Sequence, residues 1–228
     1  MNEILDRYGK LLGEVDRWFD SCLSLHSDEI ECHRGCSECC RGLFDITLLD
    51  ALYLKRGFDL LTLAVQQAVR DKASARLEDL SAEWPEFGRP WMLNHIPEEQ
   101  WDAMMPEEDE TPCPLLSDTG ACLVYAYRPM TCRLNGIPLI DIDGEPFFDE
   151  WCTLNFVEND PTGHEDIRHP FNDLFTRELL LFRELTRTLF GQAVSELDTI
   201  IPAAAFLDAD TVNLIHLPEV TDEHILPS

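Results

Sequence analysis

The chain has 228 residues, 45% of them hydrophobic, enough for one large domain or a domain with an elaborated flank. Its 17 Lys and Arg face 44 Asp and Glu, a formal net charge of −27, which argues against binding nucleic acid or an anionic membrane, since both rest on basic contacts to phosphate. No apolar run approaches the roughly 18 residues of a membrane span, and the acidic start MNEILDRYGK is no secretory signal, so the cytoplasm is the expected location.

Residues 2–26 place Ile4, Leu5, Tyr8, Leu11, Leu12, Val15, Trp18, Phe19, Cys22 and Leu23 at three- and four-residue steps, the mark of an amphipathic helix. Cys22 lies within that stripe and reads as a small buried hydrophobe. The segment Glu31 to Gly42 (ECHRGCSECCRG) then breaks the periodicity with two glycines and four cysteines. A short helix follows, with Thr47 as N-cap and Asp50 three residues on, running to about Arg56 with Gly57 as its C-terminal cap. A longer helix is expected from Asp59 to about Ala82, ended by Pro85.

From Trp84 to Pro112 the chain holds five prolines and the run Glu107-Glu108-Asp109-Glu110, an irregular connection with one helical turn near Glu98 to Met104. Trp84, Trp91 and Trp101 read as packing for that connection. Ile137 to Ile142, the turn Asp143-Gly144 and Pro146 to Phe148 read as a hairpin. Phe171 to Phe190 is periodic and helical, with Gly191 as its stop. A further short helix is expected near Ser195 to Ile200, ending before Pro202. The tail from Ala203 is apolar, punctuated by acids and prolines.

Nine cysteines, an odd number with an adjacent Cys39-Cys40 pair, do not form the framework of a secreted disulfide domain. In a reducing compartment, clustered thiols are metal ligands or redox groups. The first group, Cys32, Cys36, Cys39 and Cys40, has the spacing C-x3-C-x2-C-C, which lets the chain fold back so that thiolates converge on one ion or cluster. Gly35 and Gly42 supply backbone freedom for so tight a loop. Neighbouring side chains point apart, so Cys39 and Cys40 serve either different metals or different edges of one cluster.

The second group, Cys113, Cys122, Cys132 and Cys152, is too widely spaced to convince alone. Its context is more telling: Cys113-Pro114-Leu115-Leu116, the turn Asp118-Thr119-Gly120, Cys122, Tyr125, Arg128-Pro129 and Cys132-Arg133. Together with the first group, these residues resemble the YkgJ-type cysteine-cluster family, described as zinc- or iron-chelating domains or as iron–sulfur-cluster proteins. The resemblance covers roughly residues 30 to 155. It implies a shared site built from all eight cysteines, and it implies a ligand set rather than any activity. Cys152, within FDEWCTLNF, carries the weakest local pattern, and His33 beside Cys32 stands as an alternate ligand.

Eight thiolates fit two closed tetrahedral zinc ions or one or two iron–sulfur clusters. The adjacent pair and the family description favour iron–sulfur. Arg128 and Arg133 could donate to sulfur, with Tyr125 beside them, or form ordinary salt bridges. The expected function is metal binding for electron transfer, metal handling or structural support. The alternative is an enzyme with a catalytic cluster, through methyl transfer or radical S-adenosylmethionine-like chemistry. Against the latter, Glu38 stands where that motif carries an aromatic, and a helix rather than a strand precedes the cysteines. Histidines such as His95, His164 and His169 read as surface or core residues. The expected fold is mainly α with a small β-hairpin: an irregular cysteine-rich metal-binding core at 30–155, an N-terminal helix at 1–29 and a C-terminal helical extension at 156–228.

Overall fold

The apolar stripe at the N-terminus forms helix α1 (Asn2–Leu25), which buries Ile4, Leu5, Tyr8, Leu11, Leu12, Val15, Trp18 and Cys22. The computed structural model describes residues 1–33 and 35–217; the end of the proline-marked tail, 218–228, lies outside the described residues. A short strand, β1 (Asp45–Thr47), leads into α2 (Leu48–Phe58), whose first turn is capped as expected: the Thr47 side chain accepts from the Asp50 N–H at 3.1 Å. Helix α3 (Leu63–Glu83) begins later than Asp59, because Thr62 is its cap, accepting from the Val65 N–H. Asp59 instead closes α2.

Gly57 does not cap α2 but lies inside it. A Cβ there would meet Tyr127 at 2.4 Å, so its value is the close approach it allows to the 3-10 turn Tyr125–Tyr127. Next come α4 (Trp101–Met104), α5 (Met130–Leu134) and the expected hairpin of β2 (Leu139–Ile140) with β3 (Pro146–Phe148). Helix α6 (Phe171–Phe190) ends at Gly191 in the left-handed conformation, φ 75°.

The expected helix near Ser195 to Ile200 is not formed. Asp198–Ile200 is a strand, β4, antiparallel to β1 with Ile46 opposite Thr199. Its three residues are buried, and β-branched Thr199 and Ile200 suit a pleated, packed surface better than a helix. Pro202 opens the next helix, α7 (Ile201–Ala204), rather than stopping one, because the first turn needs no N–H from it. A last turn, α8 (Ala209–Val212), follows.

The fold is therefore mainly α, with two two-stranded antiparallel sheets among the described residues. Helices α1, α2 and α6 enclose the main core, which draws side chains from the N-terminal helix, the cysteine region and the C-terminal helices alike. A smaller core lies between α3 and the proline-rich connection, with Trp84, Trp91 and Trp101 packed against it.

Where α1, α2 and α6 meet, the Tyr8 hydroxyl lies 2.6 Å from Asp50 Oδ1 and 3.1 Å from Glu178 Oε1. A hydroxyl carries one proton. It donates to the Asp50 carboxylate, while Glu178, whose pKa is raised by burial and by the Asp50 charge, donates to the Tyr8 oxygen when protonated. Asp50 Oδ1 also accepts from the Met130 N–H at 2.8 Å. The scaffold thus fixes the first turn of α5, the helix that carries Cys132.

Candidate metal centre

The two cysteine segments are joined through their backbones. Turns set the first: the Cys36 N–H donates to the His33 carbonyl and the Cys40 N–H to that of Ser37, each at 3.0 Å. Cys40 then accepts from the Cys113 N–H at 2.9 Å, and Arg41 bridges Pro112. After Cys113 the chain reverses through Ser117 to Gly120, and a bridge between Leu116 and Cys122 returns Cys122 to the site. Gly120, at φ 78°, rests its tip against the first loop: a Cβ would come 3.1 Å from the Gly35 carbonyl oxygen. Local turns explain each segment, and their mutual docking makes the site.

Seven cysteines, Cys32, Cys36, Cys39, Cys40, Cys113, Cys122 and Cys132, line one cavity of about 580 Å³. Cys152 is not among its lining residues, but its charge acts on Cys32. The remaining wall is largely apolar, with Phe19, Leu23, Leu43 and Phe44, while Asp16 and Asp20 contribute from α1. Cys22, by contrast, is fully buried in α1 and apart from the cavity.

The low-dielectric surroundings show in the thiols. Burial pushes Cys113 up to about 11 and raises Cys32, Cys122 and Cys132. Cys39 is raised first by its hydrogen bond with Cys40 and then by burial. A thiolate here needs a compensating cation. Neighbouring thiolates raise these thiols further: Cys152, Cys36 and Cys39 act on Cys32, and Cys113, Cys122 and Cys39 on Cys132. Cys39 and Cys40 are hydrogen-bonded to each other.

Both sequence-selected arginines lie at the cavity, but they act differently. Arg128 sits 3.6 Å over the Tyr125 ring and donates through Nε to the Tyr125 carbonyl. Its charge favours the thiolates of Cys39 and Cys122. Arg133, only 5% exposed, donates to the carbonyls of Arg128 and Ala126 and pairs with Asp16. These bonds tie the α5 segment to α1 and turn its donors away from sulfur. His33 is exposed at the cavity.

Asn155 was not singled out by sequence. It is 1% exposed, and its Nδ2 donates to Cys32 Sγ at 3.3 Å and to the Gly136 carbonyl at 2.6 Å, while Oδ1 accepts from the Glu31 N–H. A buried amide aimed at sulfur favours the thiolate. Gly136, at φ 117°, permits this packing, since a Cβ would lie 3.2 Å from Cys32 Sγ. The available signal was only position, three residues beyond Cys152.

Convergent soft donors, an amide on one sulfur and a cationic side chain near two others fit a thiophilic metal or cluster. Comparison with known proteins agrees on the chemistry. A family model named CxxCxxCC and described as "Putative zinc- or iron-chelating domain" matches residues 31–153. No curated protein and no solved structure matches the chain. The first interval here is one residue longer than in the family's name, with Gly35 at φ 99° inside it. The matched span is more than half of the chain and holds every cysteine but Cys22, and the chain belongs to this CxxCxxCC family.

Proposed function

We propose that the chain holds one or two iron–sulfur clusters through up to eight thiolates, drawn from Cys32, Cys36, Cys39, Cys40, Cys113, Cys122, Cys132 and Cys152, in the cytoplasm, for electron transfer, metal handling or structural support. The observation that carries this reading is that one cavity of about 580 Å³ is lined by seven cysteines drawn from two distant segments of the chain. A closed zinc site draws four thiolates about 4 Å apart around one ion, and two such sites need no shared space. A cluster brings its own sulfide and fills a wider chamber. Asn155 and Arg128 would offset its negative charge, and the apolar wall would limit water, both of which tune a reduction potential. The net charge of −27 supports a protein that meets neither nucleic acid nor anionic membrane in this role.

Anaerobic purification from iron-replete cells, with iron, zinc and acid-labile sulfide measured per chain, tests the reading. Iron with matching sulfide and a broad visible absorption that bleaches reversibly on reduction is the expected result. A colourless protein with stoichiometric zinc would overturn the cluster in favour of zinc.

A further inference from the structure

A second group of ligand-type side chains lies outside the family's matched span. His26 closes α1 and is 8% exposed; His164 and Asp166 come from the 3-10 turns before α6. The Trp18 indole fixes the second of these turns to α1 by donating to the Ile167 carbonyl at 2.8 Å. Phe156, buried, packs on both imidazoles, whose ring centroids lie 4.9 Å apart. Segments far apart in sequence are thereby held at one point.

The hydrogen-bond inventory there leaves one choice open. His26 Nδ1 is 3.1 Å from Glu29 Oε2, and Glu29 is itself held by the Asn159 amide at 2.6 Å. An ionised carboxylate only accepts, so Nδ1 carries the proton. His26 Nε2 then faces Asp166 Oδ1 at 3.2 Å, a lone pair against a carboxylate. Something positive must lie between them, either a second proton or a cation. His164 Nδ1 approaches the same Asp166 oxygen at 3.9 Å. One ligand atom from each of the three residues lies within 4.8 Å of the others, while ligands of one transition ion stand about 3 to 4.4 Å apart. Asp166 Oδ1, 3.2 Å from His26 Nε2 and 3.9 Å from His164 Nδ1, stands within that range of both imidazoles.

We propose that His26, His164 and Asp166 form a second metal site, for a divalent first-row transition cation, with Glu29 as the positioning residue that sets the His26 tautomer. Two imidazoles select such an ion over calcium or magnesium, and a carboxylate–histidine pair behind a metal is the usual orienting arrangement. Asp166 and His164 keep one side toward solvent, which leaves the ion exchangeable and room for water in its shell.

The test starts from protein whose cysteine centre is already loaded. Zinc alone is titrated calorimetrically into wild type, His164→Ala, Asp166→Asn and Glu29→Gln, and cobalt alone is followed by its visible spectrum. Wild type should bind one further equivalent, with cobalt bands that lack intense sulfur-to-metal absorption. His164→Ala and Asp166→Asn should lose it, and Glu29→Gln should weaken it about ten- to hundredfold while leaving the zinc-free melting temperature nearly unchanged. All variants should keep the metal content of the cysteine centre. Equal zinc uptake by wild type and His164→Ala, no uptake by wild type, or a thiolate spectrum for the extra cobalt would overturn the proposal and leave a proton between His26 and Asp166.

Discussion

Helices α1, α2 and α6 bury Tyr8, Leu12, Val15, Leu49 and Leu185 completely, whereas none of the described residues from 31 to 41 is buried, though four of them are cysteines. The 113–123 segment adds only Pro114 and Leu115 to the interior. Apolar burial at roughly 25 cal/mol per Å² suffices to hold the helices. The cysteine loops have turns, a few backbone bridges and their thiols. Protonated thiols in an apolar cavity supply little attraction. On this contrast we expect the scaffold to fold from its own side chains and lend a frame, and a metal to complete the centre.

The largest expected effect therefore comes from taking the metal away. Chelation or a single Cys36→Ala or Cys132→Ala change should abolish or sharply lower metal per chain. Metal binding to such loops supplies apparent folding free energy on the order of 10 kcal/mol. Hydrogen exchange should accelerate across 31–41 and 113–123 while α1 and α6 stay protected. Full metal in both variants would break the assignment, and uniform loss of protection would show that scaffold and centre fold as one.

The converse experiment is Leu12→Ala. This side chain is fully buried in α1, and truncation should cost about 2–5 kcal/mol in denaturant unfolding. Metal per chain in the protein that remains folded should not change. Loss of metal here would blur the division between the two regions.

The same division explains what could be read in advance. Helix α1, helix α6, the Thr47 cap, the Gly191 stop and the hairpin follow from local periodicity or turn chemistry, and each formed. Strand β4 did not show itself, because its partner β1 lies some 150 residues earlier and only their pairing reveals it. Gly57 looked like a cap for the same reason: its neighbour Tyr127 is distant in sequence. At the centre, residue spacing and a family resemblance selected the cysteines, yet the common cavity, the amide of Asn155 and the structural use of Arg133 exist only once the loops dock. His164 reads as an ordinary surface or core residue because nothing in its own stretch announces His26.

A smaller effect should separate the regions by pH. Burial raises Glu178, with the Asp50 charge adding to it, and burial pushes Asp198 up to about 7. The folded chain then keeps protons that the unfolded chain releases near pH 4. Their contribution is fully present below that range and is lost as pH rises through the folded values. Unfolding free energy at constant metal load should therefore decline from pH 5 to 8, and less steeply in Glu178→Gln. An equal decline in both would show that Glu178 is ionised in the native core.

The smallest change is also the sharpest, because it concerns a cysteine that belongs to the scaffold. Cys22 lies on the buried face of α1, and burial pushes its thiol up to about 12, followed by the nearby charge of Asp166. It stays protonated at neutral pH and acts as a small apolar group rather than a ligand. Cys22→Ala removes one sulfur from a packed interior without leaving a polar group unpaired. The cost should be on the order of 1 kcal/mol, read as a modest fall in melting temperature. Metal per chain, sulfide and the visible spectrum should match wild type. Cys132→Ala, in the parallel preparation, should lose its metal, although its thiol is raised by burial in the same way. If Cys22→Ala also lost metal, burial alone would not distinguish a core thiol from a ligand thiol. The contrast between scaffold and centre would then have to be redrawn through α1 itself.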